Sequence, residues 1–312
     1  MKVVFFGTSD RSTPILESLK SHFDLVLCVT KTDSKVGRKQ TLKESGVKTW
    51  AKQNSVNFLE IDSLRGQDLK KVMQEIENLK PDYGVIADFS IIIPSEIIKL
   101  FDIRLTNIHF SLLPKYRGAC PVQFAILDGD ETTGITFYVV DEKLDNGAII
   151  SQIGYKMANK ETAGELYDIL FKIAADKLPE VLEKYSQGQT TPLPQDQLKA
   201  TYTFSPHYPK STFIYKEDAQ IDWKEKSEKI ERTVRAFNPW PIAWSCLKDL
   251  EKAKCLIEGK IKFKKSVDRD LKIKIYRSRI HDGKIAIQEV QIEGKNKTPW
   301  KDFKNGYLET AN

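Results

Sequence analysis

Histidine and cysteine are scarce in this chain of 312 residues, which contains four of each. The cysteines are too far apart to form the close pairs that bind zinc or act as redox couples; they are Cys28, Cys120, Cys246 and Cys255. Scattered cysteines are typical of free thiols in a reducing compartment. With so few histidines, a multi-histidine metal site is not expected, and we predict that the protein binds no metal.

Long apolar runs are also missing. None approaches the roughly 18 residues that a membrane-spanning helix needs. The opening run, residues 2–6, is too short for the core of a signal peptide and meets Gly7 and Thr8 at once. We therefore expect a cytoplasmic protein that does not associate with membranes, and we expect a monomer.

Positive charge is concentrated in the last third of the chain, although the net charge is only +6. Residues 206–312 contain 24 Lys and Arg against 16 Asp and Glu, whereas residues 1–205 contain 25 against 27. This excess is either a solvated basic face or the binding surface of a polyanion, for which a nucleic acid of the size of tRNA is a candidate. We predict that this surface includes Lys262, Lys264, Lys272 and Lys274.

The order of apolar segments predicts an α/β fold with two domains. In residues 1–189, continuous apolar runs alternate with helical patterns, which favours a Rossmann-like, mostly parallel sheet covered on both faces. Residues 190–208 are rich in turn formers and are predicted to be a linker. Short alternating strands in residues 209–312 favour a smaller, OB-like β-barrel. The strands predicted for the first domain are 2–6, 25–29, 83–87, 105–109, 134–140 and 147–152, and the predicted helices begin near residues 14, 43 and 161.

An amide, an imidazole and a carboxylate occur close together in residues 107–147. Asn107 and His109 are two apart at the end of a predicted strand, so both side chains leave the same face. Ligands of open α/β sheets bind at the carboxyl ends of the strands, and the loop with Asp145 follows the next strand. A positioned amide stabilises an oxyanion, and an imidazole beside a carboxylate transfers protons. The three residues together suit acyl transfer through a tetrahedral intermediate.

Simpler interpretations of the same residues remain open at this point. Asn107 and His109 could be a hydrogen-bonded pair at a strand end, and Asp145 could be a turn residue ahead of Gly147. Ser111 is not expected to be a nucleophile, because it lacks the strained Gly-x-Ser-x-Gly turn.

A longer ordered pattern surrounds these residues. Residues 107–121 read NIHFSLLPKYRGACP, and they are followed by GD at 129–130, TGIT at 133–136 and LDNG at 144–147. This series resembles the signature of formyltransferases that use 10-formyltetrahydrofolate. Within that family, the FGTSD opening, the basic loop of residues 31–39 and the RAFNPWP segment at 235–241 resemble the branch that formylates methionine on initiator tRNA.

The resemblance implies roles for individual residues. Asn107, His109 and Asp145 would be catalytic. The folate site would be formed by Ser111, Leu112, Leu113, Pro114, Phe89 and Ile91. Initiator methionyl-tRNA would be bound by Arg38 and Lys39 and by the basic surface of the second domain. Ser90 departs from the family, since many relatives carry glycine there, and a positive φ at Ser90 would cost on the order of 1 kcal/mol.

Other members of the family provide alternatives. A formyltransferase acting on the amine of a sugar nucleotide would use the same catalytic residues and the same donor, with less need for a basic second domain. A purine-pathway formyltransferase would ordinarily end near the first domain, about 100 residues earlier. An RNA-binding protein with an inactive enzyme core is a further class, but it would have no need to retain Asn107, His109 and Asp145.

Overall fold

The computed structural model describes residues 1–36 and 40–309, and these form two compact units. The first unit comprises Met1–Arg117, Thr133–Tyr155 and Tyr167–Thr201. The second comprises Gly118–Thr132, Lys156–Leu166 and the chain from Tyr202 onward. The two units therefore interleave along the sequence, and the consecutive boundaries predicted at residues 190–208 stay a prediction.

The first unit is built on a seven-stranded sheet with the order β5-β2-β1-β6-β7-β8-β9. In chain order the strands are β1 (Lys2–Phe6), β2 (Asp24–Lys31), β3 (Ser34–Val36), β4 (Thr41–Lys43), β5 (Phe58–Ile61), β6 (Tyr83–Ile86), β7 (Leu105–His109), β8 (Thr132–Val139) and β9 (Ile149–Lys156). Strands β3 and β4 form a separate antiparallel hairpin.

Most of this sheet is parallel. Strand β1 pairs in parallel with β2 and β6, β2 with β5, and β6 with β7, whereas β7 and β8 are antiparallel. The central strands are apolar on both faces, as in β1, where residues 3–6 are fully buried. Burial on both faces is typical of a parallel sheet covered by helices. The predicted Rossmann-like sheet is thereby confirmed.

Helices connect the strands as far as residue 186. They are α1 (Thr13–His22), α2 (Gly46–Gln53), α3 (Gly66–Leu79), α4 (Ser95–Phe101), α5 (Pro121–Asp128) and α6 (Ala163–Ser186). The sequence predicted α1, α2 and α6 but not the other three. Among the described residues, no helix has the length and apolar character needed to cross a membrane.

The second unit contains a four-stranded antiparallel sheet with the order β10-β11-β12-β13. Its remaining elements are α7 (Ser227–Ala236), β10 (Ala243–Cys246), α8 (Leu247–Leu250), β11 (Lys272–His281), β12 (Lys284–Ile292), β13 (Thr298–Pro299) and α9 (Trp300–Tyr307). One sheet face is covered by apolar groups, including Ile273, Ile275, Val290 and Phe303. The smaller antiparallel β-domain expected from the sequence is present.

The edge of the first sheet brings two loops together. Strands β6 and β7 are parallel, and Ile86 at the end of β6 lies beside Asn107 of β7. The chain after Ile86 and the chain after Asn107 therefore leave the sheet at the same edge. This is the edge at which open α/β sheets bind ligands.

Candidate active site

Two candidate catalytic side chains leave the sheet together at the end of β7. Asn107 pairs with Tyr138 of β8, and His109 pairs with Thr136, in an antiparallel ladder. Because residues two apart in a strand point to the same face, Asn107 and His109 share one face of the sheet. His109 is only 6% exposed, whereas Asn107 is partly accessible.

The hydroxyl group of Tyr138 links Asn107 to Asp145. It accepts a hydrogen bond of 2.8 Å from Nδ2 of Asn107 and donates one of 2.7 Å to Oδ1 of Asp145. Burial, followed by the charge of Asp145, raises the pKa of Tyr138 well above its ordinary value. The phenol therefore stays protonated and acts as a fixed donor. Sequence reasoning missed Tyr138, because its place depends on the register between β7 and β8.

The imidazole of His109 lies between a carbonyl group and a carboxylate. Its Nε2 is 2.9 Å from the carbonyl oxygen of Tyr116. A carbonyl oxygen only accepts, so Nε2 carries a hydrogen and donates it. Nδ1 is then 3.7 Å from Oδ2 of Asp145, a distance too long for a hydrogen bond. A proton taken up at Nδ1 would face that carboxylate oxygen. Asn107, His109, Tyr138 and Asp145 are called the catalytic cluster below.

The loop that carries Asp145 has a constrained backbone. Asp145 has a φ of 46°, in the left-handed region that Asp tolerates better than most residues. A Cβ atom on Gly147 would lie 1.6 Å from the carbonyl oxygen of Val139, so only glycine fits there. Asp145 is thus a turn residue, and its carboxylate also belongs to the catalytic cluster.

A buried glutamine holds this loop from a distant part of the sequence. Nε2 of Gln195 donates to the carbonyl oxygens of Asp145, at 2.9 Å, and Gly147, at 2.8 Å. Its Oε1 accepts hydrogen bonds of 3.1 and 2.7 Å from Nε and Nη2 of Arg117, which is 2% exposed. The segment around Gln195 was predicted only as a linker, and no local pattern signals this contact.

The residues predicted to line the folate site after β7 are held tightly. Oγ of Ser111 donates to the carbonyl oxygen of Lys115 at 2.5 Å, and Thr136 donates to the carbonyl oxygen of Ser111 at 2.6 Å. Leu113 is buried and its N–H donates to Thr136. The Leu113–Pro114 peptide bond is cis. With Ser111 and Leu113 buried, Leu112 and Pro114 are the partly accessible members of this group.

The other segment predicted to form the folate site, with Phe89 and Ile91, begins directly after β6, at the same sheet edge as Asn107. Phe89 and Ile91 are partly buried and pack on the core, and the rings of Phe89 and Phe6 are 5.8 Å apart. Within the described backbone, Ser90 is not among the residues with positive φ, so the strain considered for it does not arise. Asp88 has the positive φ instead, at 49°.

The predicted tRNA-binding residues differ in their surroundings. Arg38 and Lys39 lie outside the described residues. Lys262 pairs with Glu309 at 2.9 Å, and Nζ of Lys264 donates to two backbone carbonyls of α9. Lys272 and Lys274 are exposed on one face of β11, alternating with buried isoleucines. Nζ of Lys272 lies over the ring of Trp244, 4.4 Å from its centre, and Lys262 is 70% exposed despite its ion pair.

Comparison with known protein families identifies the family of this chain. The family model for formyl transferase matches residues 1–182, and the model for the formyl transferase C-terminal domain matches residues 213–308. The chain belongs to the formyl transferase family. It is an enzyme of the transferase class, and the family uses a formyl donor derived from folate.

Individual relatives cover nearly all of this formyl transferase. The methionyl-tRNA formyltransferase of Bacillus cytotoxicus is 36% identical over 79% of this chain and 76% of the relative. That of a Staphylococcus aureus strain is 31% identical over 99% and 97%. Two solved structures share the fold: a methionyl-tRNA formyltransferase from Clostridium thermocellum (TM-score 0.59, 19% identity, 94% and 98% covered) and an N-formyltransferase from Helicobacter canadensis with folinic acid and dTDP-3-aminofucose (0.58, 20%, 95% and 99%).

Proposed function

We propose that this enzyme transfers the formyl group of 10-formyltetrahydrofolate to the α-amine of methionine on initiator tRNA. The observation that carries the proposal is the match along 99% of the chain to relatives named methionyl-tRNA formyltransferase. The basic C-terminal third of the chain supports a polyanionic acceptor, because residues 206–312 contain 24 basic and 16 acidic residues. Translation initiation takes place in the cytoplasm, which is where we expect the enzyme to act.

The catalytic cluster has groups for each step of such a transfer. The amide of Asn107 has two N–H groups, one of which is bonded to Tyr138. The second can donate to the oxygen of the formyl group when the attacking amine makes that carbon tetrahedral. One such donor typically contributes about 2.7 to 4 kcal/mol to the transition state. The N–H of His109 at Nε2 is a second candidate donor, once it leaves the carbonyl of Tyr116.

Proton transfer falls to Asp145 and His109. The incoming amine must lose a proton as its nitrogen bonds to the formyl carbon, and the leaving nitrogen of the folate must gain one as its bond to that carbon breaks. The carboxylate of Asp145 accepts the first proton, and the neighbouring Nδ1 of His109 is placed to share it. Tyr138 and Gln195 keep Asp145 in position during both steps. No net proton is consumed, and the enzyme forms no covalent intermediate.

The second candidate function is formylation of an amino sugar attached to a nucleotide. The similarity to the Helicobacter canadensis N-formyltransferase, which covers 95% of this chain, supports it. Both acceptors present a primary amine to the same donor, so the catalytic cluster suits either reaction.

Parallel assays with the two acceptors distinguish the two functions. The purified enzyme is incubated with 10-formyltetrahydrofolate and either methionyl-initiator tRNA or a dTDP-linked amino sugar, and the formylated product is quantified. We expect kcat/KM for the charged tRNA to be larger by several orders of magnitude. Turnover of the amino sugar without turnover of the charged tRNA would overturn the proposal.

A further inference from the structure

The second unit contains a cavity of about 430 Å³ whose lining does not include the lysines of the basic surface predicted from the sequence. It is bounded by the segment ahead of α6, by one face of α7 and by the second half of β11. Four basic and two acidic side chains line it, namely Lys160, Arg235, Arg277, Arg279, Glu165 and Glu231. We call it the arginine pocket.

The two acids leave most of this positive charge unpaired. Glu231 bonds to Nε of Arg235 at 2.7 Å, and Arg235 also donates to the carbonyl oxygen of Glu161. Glu165 accepts hydrogen bonds from the backbone N–H and the hydroxyl of Thr162, at 2.8 and 2.9 Å. Those bonds, with a smaller contribution from the charge of Arg277, lower the pKa of Glu165.

Three cations of the pocket form no ion pair in the part of the chain that the structure describes, although Arg277 acts on Glu165 at longer range. They are Lys160, Arg277 and Arg279, and all three are exposed. Because an unpaired guanidinium keeps all its donors free for a planar, bidentate acceptor, Arg277 and Arg279 are suited to phosphate oxygens.

The strand that carries both arginines is irregular at this point. The pairing of β11 with β12 shifts register between Ile275 and Arg277 and again between Arg277 and Ser278. Such bulges redirect side chains and are frequent beside functional sites. Ser278 also lines the pocket, and its hydroxyl is shielded from solvent without a hydrogen-bond partner among the described residues. A buried polar atom left unsatisfied requires an explanation.

We propose that the arginine pocket binds consecutive phosphates of the acceptor tRNA, with Arg277 and Arg279 as the principal ligands and Lys160 as a third. Residues two apart on a strand are separated by roughly 6 to 7 Å, which matches the distance between neighbouring phosphates of one RNA strand. The inference rests on the proposed function for the identity of the RNA. It adds Arg277, Arg279 and Lys160 to the basic surface predicted from the sequence.

The test measures tRNA binding directly, by filter retention over a series of salt concentrations. The double variant Arg277→Gln/Arg279→Gln removes two exposed charges and is expected to fold. The magnitude of the slope of log K against log salt should fall by about 1.4 to 1.8, because each of the two lost phosphate contacts contributes about 0.7 to 0.9. At low salt we expect Kd to rise at least 10-fold. Lys160→Gln alone should lower the slope by less than 1.

A matched control removes the same charge elsewhere in the second unit. Lys252 and Lys254 are exposed and lie outside the pocket, so Lys252→Gln/Lys254→Gln should leave Kd and slope near those of the unchanged enzyme. If the control variant lost as much affinity for tRNA as the pocket variants, the effect would reflect only the total charge of the protein, and the inference would be overturned. Unchanged binding in the pocket variants, or no tRNA binding by the unchanged enzyme, would overturn it as well.

Formylation measured in parallel distinguishes this inference from the proposed function. The pocket variants should raise KM for methionyl-initiator tRNA and leave kcat at saturating tRNA unchanged. If the unchanged enzyme binds tRNA through the pocket but does not formylate it, only the proposed function is contradicted. If the unchanged enzyme formylates tRNA and the pocket variants bind tRNA equally well, only the proposal for the arginine pocket is contradicted.

Discussion

The hydroxyl group of Tyr138 donates one hydrogen bond and accepts another, and both partners belong to the catalytic cluster. It orients the amide of Asn107 and fixes one oxygen of Asp145, so the second oxygen faces His109. Tyr138 is thus a positioning residue, since it acts through its neighbours. Its pKa is raised well above the ordinary value for tyrosine, so the hydroxyl keeps the proton that it donates.

Replacing Tyr138 by phenylalanine removes both hydrogen bonds and keeps the ring. We expect kcat to fall about 10- to 100-fold, because loosely held catalytic groups spend less time in the reactive geometry. KM for the tRNA should change little, and steady-state kinetics measures both. Tyr185→Phe is the matched control, since its hydroxyl also donates a hydrogen bond, partly buried, to the carbonyl oxygen of Ile103. A kcat for Tyr138→Phe equal to that of the control would show that Tyr138 is merely structural.

His109→Ala tests the proton-transfer step itself. Loss of the imidazole should lower kcat by at least about 100-fold, the usual range of positioned acid–base catalysis. A rate within a few-fold of the unchanged enzyme would remove His109 from the mechanism.

At the scale of elements, a buried carboxylate organises the segment that enters the second unit. Oδ1 of Asp218 accepts from Ser205 and from the ring and backbone of His207, and Oδ2 accepts from the N–H of Tyr215. Its side chain is only 1% exposed. The segment looks irregular in the sequence, yet one residue fixes its path.

Asp218→Asn should destabilise the protein by about 1 to 3 kcal/mol, the usual cost of disturbing a buried hydrogen-bonded group. Burial alone would raise the pKa of Asp218, but the bonds from Tyr215, His207 and Ser205 outweigh it and lower the pKa. The stabilisation is therefore complete above the unfolded value, about 3.9, and is lost as pH falls through the lower folded value. Denaturant unfolding at pH 7 and pH 3 measures both free energies. An Asn variant as stable as the unchanged protein at pH 7 would contradict the prediction.

Local patterns predicted the strands that carry the site but not everything that completes it. The two-residue spacing of Asn107 and His109 sufficed to place both side chains on one face, because alternation is a property of any strand. Tyr138 could not be found in this way, since its partner is set by the register between two strands. Gln195 contacts a loop about 50 residues earlier, and no periodicity contains that information. Helix α3, in contrast, has apolar residues at helical spacing, so a local pattern in the sequence is sufficient to predict this helix.

At the scale of the whole molecule, the uneven charge predicts how the acceptor is found. The excess of Lys and Arg beyond residue 205 should attract a polyanion over a distance of about one Debye length, or 8 Å at physiological ionic strength. Attraction of this kind accelerates association and weakens with salt.

Neutralising Lys262, Lys264, Lys272 and Lys274 together should slow association with tRNA and flatten its salt dependence. Lys262 forms an exposed ion pair with Glu309, and Nζ of Lys264 donates to two backbone carbonyls. We therefore expect the larger effect from Lys272 and Lys274, whose charges have no acidic partner among the described residues. Stopped-flow binding to Lys262→Gln/Lys264→Gln and to Lys272→Gln/Lys274→Gln compares the two pairs. A larger loss in the first pair would show that those internal contacts open when tRNA binds.

The bonds from Gln195 to the loop of Asp145 have a consequence for synthesis of the chain. Residues 107, 109, 138 and 145 all leave the ribosome well before residue 195, and the long helix α6 lies between them. Contacts that span many residues form late, because a large loop of chain must be closed first. A nascent chain that has just completed α6 would therefore possess every catalytic side chain but lack the two hydrogen bonds that lock the carboxylate in place. The enzyme would become active only after the chain has passed Gln195.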